Sequence, residues 1–159
     1  MMSRCYGKNK KACYEGCTVC EEWKNDFDSF YTWVQENYYE VEGEKMCLDK
    51  DILIKNNKTY SPDTCVFVPS YINNMMGGIA KKNKKNIKLP IGVIQVGNRY
   101  KVDVKGCINS YETVDEAFDA YKKHREGKII SVADSYIEEN KIPYKLYEAL
   151  CNYSIELND

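Results

Sequence analysis

Asp49, Asn73 and Asn74 have side chains suited to metal-dependent phosphodiester chemistry, and the sequence brings them to useful places. Such chemistry needs a carboxylate that holds Mg²⁺ or a similar hard cation, a second ligand from another element, and a base that activates water. Asp49 stands at the end of a predicted strand. The two asparagines stand on a predicted helix, so Asp49 is a candidate ligand and either asparagine is a candidate second ligand.

The elements that must position these residues follow from the period of the apolar side chains. After an irregular polar stretch over 1–20, apolar residues at spacings of three and four predict a helix that ends near Asn37, with its aromatic stripe in the core. A strand over 45–49, a loop, an apolar strand over 65–68 and a helix opened by Pro69 and Ser70 come next. The helical stripe consists of Trp23, Phe27, Phe30, Tyr31 and Val34.

The second half has the pattern of a small sheet followed by helices. Strands are predicted over 91–94, 99–104 and 107–111, with a hairpin turn at Gly97-Asn98. Thr113 begins a capping box, Thr-Val-Asp-Glu, and a helix to about residue 128. A second helix over 129–139 and a short last helix after Pro143 complete the chain. We therefore predict an α+β protein in which a three-stranded antiparallel sheet packs on a helix and is followed by C-terminal helices.

Charge divides the chain into three parts. Residues 1–77 hold nine Lys/Arg and twelve Asp/Glu, residues 78–105 hold eight and one, and residues 106–159 hold six and eleven, giving net charges of −3, +7 and −5. The basic segment indicates either a solvated linker or a contact with a phosphate backbone. With the glycines at 77 and 78 it predicts three parts: a domain over 1–76, a basic linker over 77–89 and a domain over 90–159. The linker lysines are Lys81, Lys82, Lys84, Lys85 and Lys88.

Eight cysteines in a chain that begins without an apolar signal core favour a reducing, cytosolic location. No apolar run approaches the length of a membrane helix. Cys17 and Cys20 have the two-residue spacing of a zinc knuckle. Two of Cys5, Cys13, Cys47 and Cys65 could complete a tetrahedral structural zinc site, and Cys5 and Cys65 are our choice. Buried free thiols are the competing interpretation.

The first half resembles the HNH homing-type endonucleases of bacteriophages over about residues 3–75. The resemblance rests on Cys47-Leu48-Asp49-Lys50-Asp51, on Tyr60-Ser61-Pro62-Asp63-Thr64-Cys65-Val66-Phe67 and on Ile72-Asn73-Asn74. It implies a small ββα unit with an N-terminal helix, Asp49 and Asn73 as ligands of Mg²⁺ or Mn²⁺, and double-stranded DNA as substrate. Active HNH sites have a histidine after the metal-binding aspartate, whereas this chain has Lys50, so Lys50 and Asp51 become the candidate catalytic residues.

The second half resembles the ethylene-response-factor (APETALA-type) DNA-binding domain, which follows HNH units in phage genomes. The matching residues are Gly92-Val93, Arg99-Tyr100-Lys101-Val102 and the segment from Tyr111 to Tyr121. The resemblance implies that the sheet lies in the major groove and that strand residues read bases and phosphates. Those residues are Gln95, Asn98, Arg99, Lys101 and Lys105.

Two functions follow from these expectations. The first is a metal-dependent endonuclease or nickase of double-stranded DNA. The second is a catalytically impaired HNH derivative that acts as a DNA-binding regulator, or that inhibits a bacterial defence nuclease, as anti-CRISPR proteins do, by binding a host nuclease complex. The acidic ends of the chain favour a protein partner slightly, since they can dock on a basic groove.

Overall fold

The fold was analysed in a computed structural model that describes residues 1–77, 89–102, 104 and 109–157. It is an α+β arrangement, as predicted. The helices are α1 (Met2–Tyr6), α2 (Glu21–Asn25), α3 (Phe27–Asn37), α4 (Ser70–Gly77), α5 (Val114–Glu138) and α6 (Tyr144–Cys151), with a 3-10 turn at Ala12–Tyr14. The strands are β1 (Thr18–Val19), β2 (Met46–Asp49), β3 (Thr59–Tyr60), β4 (Val66–Pro69), β5 (Val93–Val96), β6 (Arg99–Val102) and β7 (Ser110–Tyr111).

Strands β2 and β4 pair antiparallel, with Met46 opposite Pro69 and Asp49 opposite Val66, and α4 follows directly. Every residue of β4 is buried, because its four apolar side chains, two of them β-branched valines, fill both faces of the pair. This gives the predicted order of strand, loop, strand and helix. A short parallel pair, β1 with β3, was not predicted, since residues 1–20 carry no strand-like period.

The predicted three-stranded antiparallel sheet is present in the order β5-β6-β7, and it packs against α5. The turn at Gly97-Asn98 and the capping box at Thr113 also form as predicted: the Thr113 side chain accepts from Glu116 N–H at 3.2 Å, and Glu116 Oε2 accepts from Thr113 N–H at 3.3 Å.

Two helix predictions are wrong. The segments predicted as two helices over 113–128 and 129–139 form the single 25-residue α5. Gly127 does not break it, because the glycine is exposed while Ile129 and Ala133 continue the buried side of the helix. The helix predicted through residues 23–34 is instead divided into α2 and α3 at Asp26, whose carboxylate accepts from Asp28 N–H at 2.9 Å and caps α3.

The buried side chains form two clusters. An aromatic core holds the N-terminal elements together, and a main core contains buried residues from both sides of the predicted linker. The aromatic core consists of Cys5, Cys17, Val19, Trp23, Trp33, Tyr60, Cys65 and Phe67. The main core includes Ile52, Val66, Val68, Ile72 and Met76 together with Ile91, Val93, Val102, Ala117, Phe118, Tyr121, Ile129, Leu146 and Ile155. The division into domains stays a prediction.

In the described residues, no helix combines the length and apolar character that crossing a bilayer requires. The predicted aromatic stripe, which α2 and α3 share, is less buried than expected: Trp23 on α2 lies in the aromatic core, whereas Phe27 and Tyr31 on α3 are exposed.

Gly92 should be intolerant of any side chain. Its φ is +75°, and a Cβ there would lie 2.1 Å from Cδ2 of Tyr121. Gly97 has a similar φ of +62° but open space around it. We expect Gly97→Ala to lower the free energy of unfolding by roughly 1–2 kcal/mol from backbone strain alone. Gly92→Ala should cost roughly 2–5 kcal/mol because the clash adds to the strain. Urea unfolding followed by circular dichroism measures both, and equal losses would contradict the close Gly92–Tyr121 approach.

Candidate functional site

A cleft of about 610 Å³ opens beside the end of β2. We call it the Asp49 cleft. Its walls come from α1, from β2 and the turn after it, from α4 and from the segment after α6. It brings together all four residues that the sequence predicted for metal binding and catalysis: Asp49, Lys50, Asp51 and Asn73. Further lining residues include Arg4, Tyr14, Cys47, Lys55, Asn56, Tyr60, Tyr153 and Glu156.

Asp49 ends β2 and shapes the turn that follows. Its Oδ1 accepts hydrogen bonds from the backbone N–H groups of Asp51 and Ile52, each at 2.8 Å. This short-range capping is typical of aspartate at the start of a turn. It sends Ile52 into the main core and leaves the carboxylate at the cleft wall.

The pKa of Asp49 is raised to about 6. Burial is the largest cause, because it disfavours the charged form, and the nearby carboxylate of Asp51 adds like-charge repulsion and a hydrogen bond to the protonated form. The two backbone N–H donors oppose the shift only in part. Two carboxylates held this closely form a site whose negative charge a cation would relieve.

Lys50 is buried, with 7% of its surface exposed. Its Nζ donates to Asp51 Oδ2 at 3.1 Å and lies 5.8 Å from the centre of the Tyr60 ring. Burial alone would lower the pKa of Lys50. The charge of Asp51 and its hydrogen bond raise the pKa by more than burial lowers it, so the net pKa is above the ordinary value. Lys50 is therefore an ammonium ion at neutral pH. It can hold or stabilise negative charge, but it cannot accept a proton there.

The loop between β2 and β3 is fixed by Asn57. Its side-chain amide donates to the carbonyl of Lys50 at 2.6 Å and to that of Thr59 at 2.7 Å. Thr64 Oγ1 donates to the same Thr59 carbonyl at 2.7 Å. These contacts make Asn57 and Thr64 supports of the loop, while the neighbouring Asn56 lines the cleft.

The structure separates the two asparagines that the sequence left as alternatives. Asn73 is half-buried on α4 and lines the Asp49 cleft, whereas Asn74 is exposed and does not. Successive residues of a helix point about 100° apart, so only one of the two can reach a given side. Asn73 is therefore the asparagine placed to bind the same metal ion as Asp49.

Arg4 is a cleft residue that sequence reasoning did not select. Its guanidinium lies 5.5 Å from the centre of the Tyr14 ring, and a hydrogen bond to Tyr60 raises the pKa of Arg4 above its already high ordinary value. Arg4 and Lys50 thus meet at one tyrosine and give the cleft two fixed cations. Arg4 lies on a short helix 45 residues before Asp49, and no pattern in the sequence indicates that the two residues line the same cleft.

The four cysteines predicted for zinc lie in or against the aromatic core. Cys5, Cys17 and Cys65 are buried, and Cys20 is half-buried. Burial raises the pKa of Cys5, with Cys17 adding to the shift, and burial raises the pKa of Cys65 to about 11, so both are thiols at neutral pH. Among the described residues, no group of three or more His, Cys, Asp or Glu side chains is arranged to hold a metal. The zinc site stays a prediction.

The predicted DNA-reading residues do not share one face of the sheet. Paired residues of antiparallel strands point to the same side. Arg99 pairs with Val96 and Lys101 with Ile94, whereas Gln95 pairs with Tyr100, whose ring packs on the main core. Arg99 and Lys101 therefore face outward, and Gln95 stands on the helix side at the edge of the sheet.

Arg99 is also tied to β7, donating from Nε to Ser110 Oγ at 3.0 Å and from Nη1 to Glu112 at 3.4 Å. Asn98 is exposed in the turn between β5 and β6. The other predicted DNA contacts lie outside the described residues: Lys81, Lys82, Lys84, Lys85, Lys88 and Lys105.

Comparisons of the chain with protein-family models, with curated proteins and with solved structures each returned no match.

Stability should depend on the charge of Asp49. Because its folded pKa of about 6 exceeds the ordinary 3.8, folding favours the protonated form, and stability falls as pH rises from about 4 to 6. An asparagine at position 49 retains a side-chain oxygen that can accept from the N–H groups of Asp51 and Ile52, but it carries no charge. We expect Asp49→Asn to unfold at nearly the wild-type urea concentration at pH 4 and to be more stable by roughly 1–3 kcal/mol at pH 7. Asp63→Asn, in the exposed loop before β4, is the control for removing one negative charge. A difference that is the same at both pH values would rule out the shifted pKa.

Proposed function

We propose that this chain is a phage-type DNA-binding protein related to HNH endonucleases. It would bind double-stranded DNA and act on a phosphodiester that lies in the Asp49 cleft. One observation carries the proposal. Residues far apart in the sequence, Asp49 at the end of β2 and Asn73 on α4, line the same cleft as Lys50, Asp51 and Arg4. Carboxylate and amide oxygens together with two cations fit a phosphate that is held with a metal.

Asp49 and Asn73 would hold a divalent metal, Mg²⁺ or Mn²⁺. The neighbouring carboxylates of Asp49 and Asp51 fit a cation, since burial and then the charge of Asp51 disfavour the charged form of Asp49 and raise its pKa. Two protein ligands suffice, because Mg²⁺ is commonly bound by one or two side chains together with water and substrate phosphate. A metal bound there would polarise the phosphate and lower the pKa of a bound water.

The chain's cations would hold the phosphate. Lys50 is fixed by Asp51 and the Tyr60 ring, and Arg4 is fixed by Tyr14 and Tyr60, so neither needs to reorganise when charge builds on the phosphate oxygens. Asp51 is the carboxylate available to accept a proton, and its side chain is 47% exposed. Asp51 must give up its ion pair with Lys50 to take the proton, which predicts slow cutting.

Binding of the duplex would extend to the second half of the chain. Arg99 and Lys101 share the outward face of the sheet, and the linker lysines would add phosphate contacts. The protein would act in the cytoplasm of a host cell.

A second function is favoured by the state of Lys50. The only histidine of the chain, His124, is exposed on α5 and does not line the cleft. The residue in the usual histidine position is a lysine whose pKa is raised. An HNH derivative with this site would bind DNA or a host nuclease complex without cutting, and it would act as a regulator or as an inhibitor of bacterial defence.

The neighbouring asparagines provide a matched test of cutting. We expect the wild-type protein to nick supercoiled plasmid in Mg²⁺ or Mn²⁺. Asn73→Ala should lower the nicking rate by at least about tenfold, because a metal contact is lost. Asn74→Ala, one position along α4 and outside the cleft, should keep the wild-type rate. The rate is measured from the conversion of supercoiled to open-circle plasmid on a gel.

The same experiment separates the two functions. Duplex binding in a gel shift without nicking in either metal would reject the endonuclease and leave the binding protein. Equal nicking by both asparagine variants would reject the Asp49 cleft as the site.

The outward face of the three-stranded sheet gives a second prediction, which compares duplex binding by variants on its two sides. Lys101→Ala should weaken duplex binding severalfold and reduce the salt dependence by about one phosphate contact. Gln95→Ala, on the opposite side of the same sheet, should bind as the wild type does. Fluorescence anisotropy with a labelled duplex at several salt concentrations measures both. A larger effect at Gln95 than at Lys101 would show that the outward face of the sheet is not the DNA surface.

A further inference from the structure

Asn56 lines the Asp49 cleft from the loop between β2 and β3. It is exposed, whereas Lys50, which lines the same cleft, has only 7% of its surface exposed. Asn56 therefore stands at the rim of the cleft. Among the residues that the structure describes, none forms a hydrogen bond with its side chain. A carboxamide carries two N–H donors and a carbonyl acceptor, so Asn56 offers the cleft polar groups that the described part of the chain does not use.

The residues on both sides of Asn56 are anchored. Lys55 Nζ donates to the carbonyl of Ser154 at 2.6 Å and lies 5.2 Å from the centre of the Tyr153 ring. Asn57 donates two side-chain hydrogen bonds to backbone carbonyls, at 2.6 and 2.7 Å. The position of Asn56 at the rim is thus fixed in advance, and little ordering is needed before it can contact a ligand.

The backbone of Asn56 has a φ of +65°, in the left-handed region that asparagine, aspartate and glycine adopt most readily. This turn alone would account for an asparagine at position 56, but it does not account for the position of the side chain on the cleft. Asn140 separates the two roles. It is exposed after α5 with a φ of +54°, and it does not line the cleft.

The proposed substrate indicates what Asn56 would contact. A DNA strand that places one phosphodiester beside Asp49 and Lys50 is continuous, so its next nucleotide must pass over the rim of the cleft. Asparagine is one of the side chains that commonly hydrogen-bond phosphate and sugar oxygens, and such contacts fix the register of a protein on DNA. Because the amide is uncharged, it can donate to a phosphate oxygen without adding to the charge of the site.

We propose that Asn56 donates from Nδ2 to the sugar-phosphate backbone of the nucleotide next to the reacting phosphodiester, and so sets the register of the strand in the Asp49 cleft. This inference rests on the proposed function, because it names a further contact of the same DNA. The contact forms when the DNA binds and persists through the reaction. Its loss therefore weakens binding and leaves the rate of bound DNA unchanged.

Fluorescence anisotropy with a labelled duplex in Mg²⁺ tests the contact, because the slow cutting that we predict leaves time to measure Kd. Asn56→Gly keeps the left-handed backbone and removes the amide. It should raise Kd by about three- to tenfold, which is the effect of one lost hydrogen bond. The slope of log Kd against log salt should equal that of the wild type, because no charge is removed.

Asn56→Asp keeps the shape of the side chain and its tolerance of the left-handed backbone, but its carboxylate cannot donate. At low salt it should weaken binding more than Asn56→Gly does, because its charge repels phosphate. At high salt, where that charge is screened, the two variants should have similar Kd values, both above that of the wild type. The nicking rate at saturating DNA should stay within about twofold of the wild-type rate in both variants.

Asn140→Gly and Asn140→Asp are the matched controls, because they make the same exchanges at a left-handed asparagine outside the cleft. Both should bind the duplex as the wild type does. Circular dichroism checks that each variant is folded, and the aspartate variant preserves the test if the glycine variant is not.

The contact is rejected if Asn56→Gly binds as the wild type does, or if Asn140→Gly weakens binding equally. It is also rejected if Asn56→Asp regains wild-type binding at high salt while Asn56→Gly stays weak, because the backbone conformation would then be responsible. A lower nicking rate at saturating DNA with an unchanged Kd would reject it as well. In these cases the wild type still binds the duplex, and the proposed function is untouched. A wild-type chain that binds no duplex would reject the proposed function, and the contact with it.

Discussion

The turn held by Asp49 is the constraint on which the site depends. One carboxylate oxygen accepts two backbone N–H groups at 2.8 Å, and this ends β2 while directing the next three side chains differently. Lys50 turns inward to the Tyr60 ring, Asp51 returns to pair with it, and Ile52 enters the main core. Removing the oxygen would leave two N–H donors without partners and free the lysine that they position indirectly. A structural cap and a candidate metal ligand are thus the same side chain.

The walls of the Asp49 cleft are positioned by contacts from both ends of the chain. Lys55 Nζ donates to the carbonyl of Ser154 at 2.6 Å, which joins the loop after β2 to the segment after α6. Arg125, on α5, donates to the carbonyl of Met75 on α4 at 3.1 Å. Because the main core also contains residues from both halves, helix α4 and its Asn73 are held from the C-terminal side. Changes in the second half of the chain can therefore alter the cleft without touching it.

Sequence reasoning succeeded where local pattern and tertiary packing agree. The order of strand, loop, strand and helix around β2 and β4, the hairpin at Gly97 and the capping box at Thr113 each follow from short segments of sequence. It failed where long-range packing decides. The helix after Thr113 was predicted to end near residue 128, but it continues, because the exposed Gly127 costs a long, well-packed helix only about 1 kcal/mol. Arg4 reaches the cleft only through the fold. The side of the sheet on which Gln95 lies depends on the register of its pairing with Tyr100, and the sequence pattern did not specify that register.

The electrostatics of the cleft separate binding from catalysis. An imidazole in the position of Lys50 would change its charge near neutral pH and could accept a proton. The ammonium group of Lys50 cannot, because Asp51 stabilises its charged form more than burial opposes it. The same pairing engages Asp51, the carboxylate that we propose as the base in place of an imidazole. In the proposed function, a lysine at this position therefore favours holding a phosphate over transferring a proton. If Asp51 serves as the base, as proposed, it accepts the proton at the expense of the ion pair that keeps Lys50 in place.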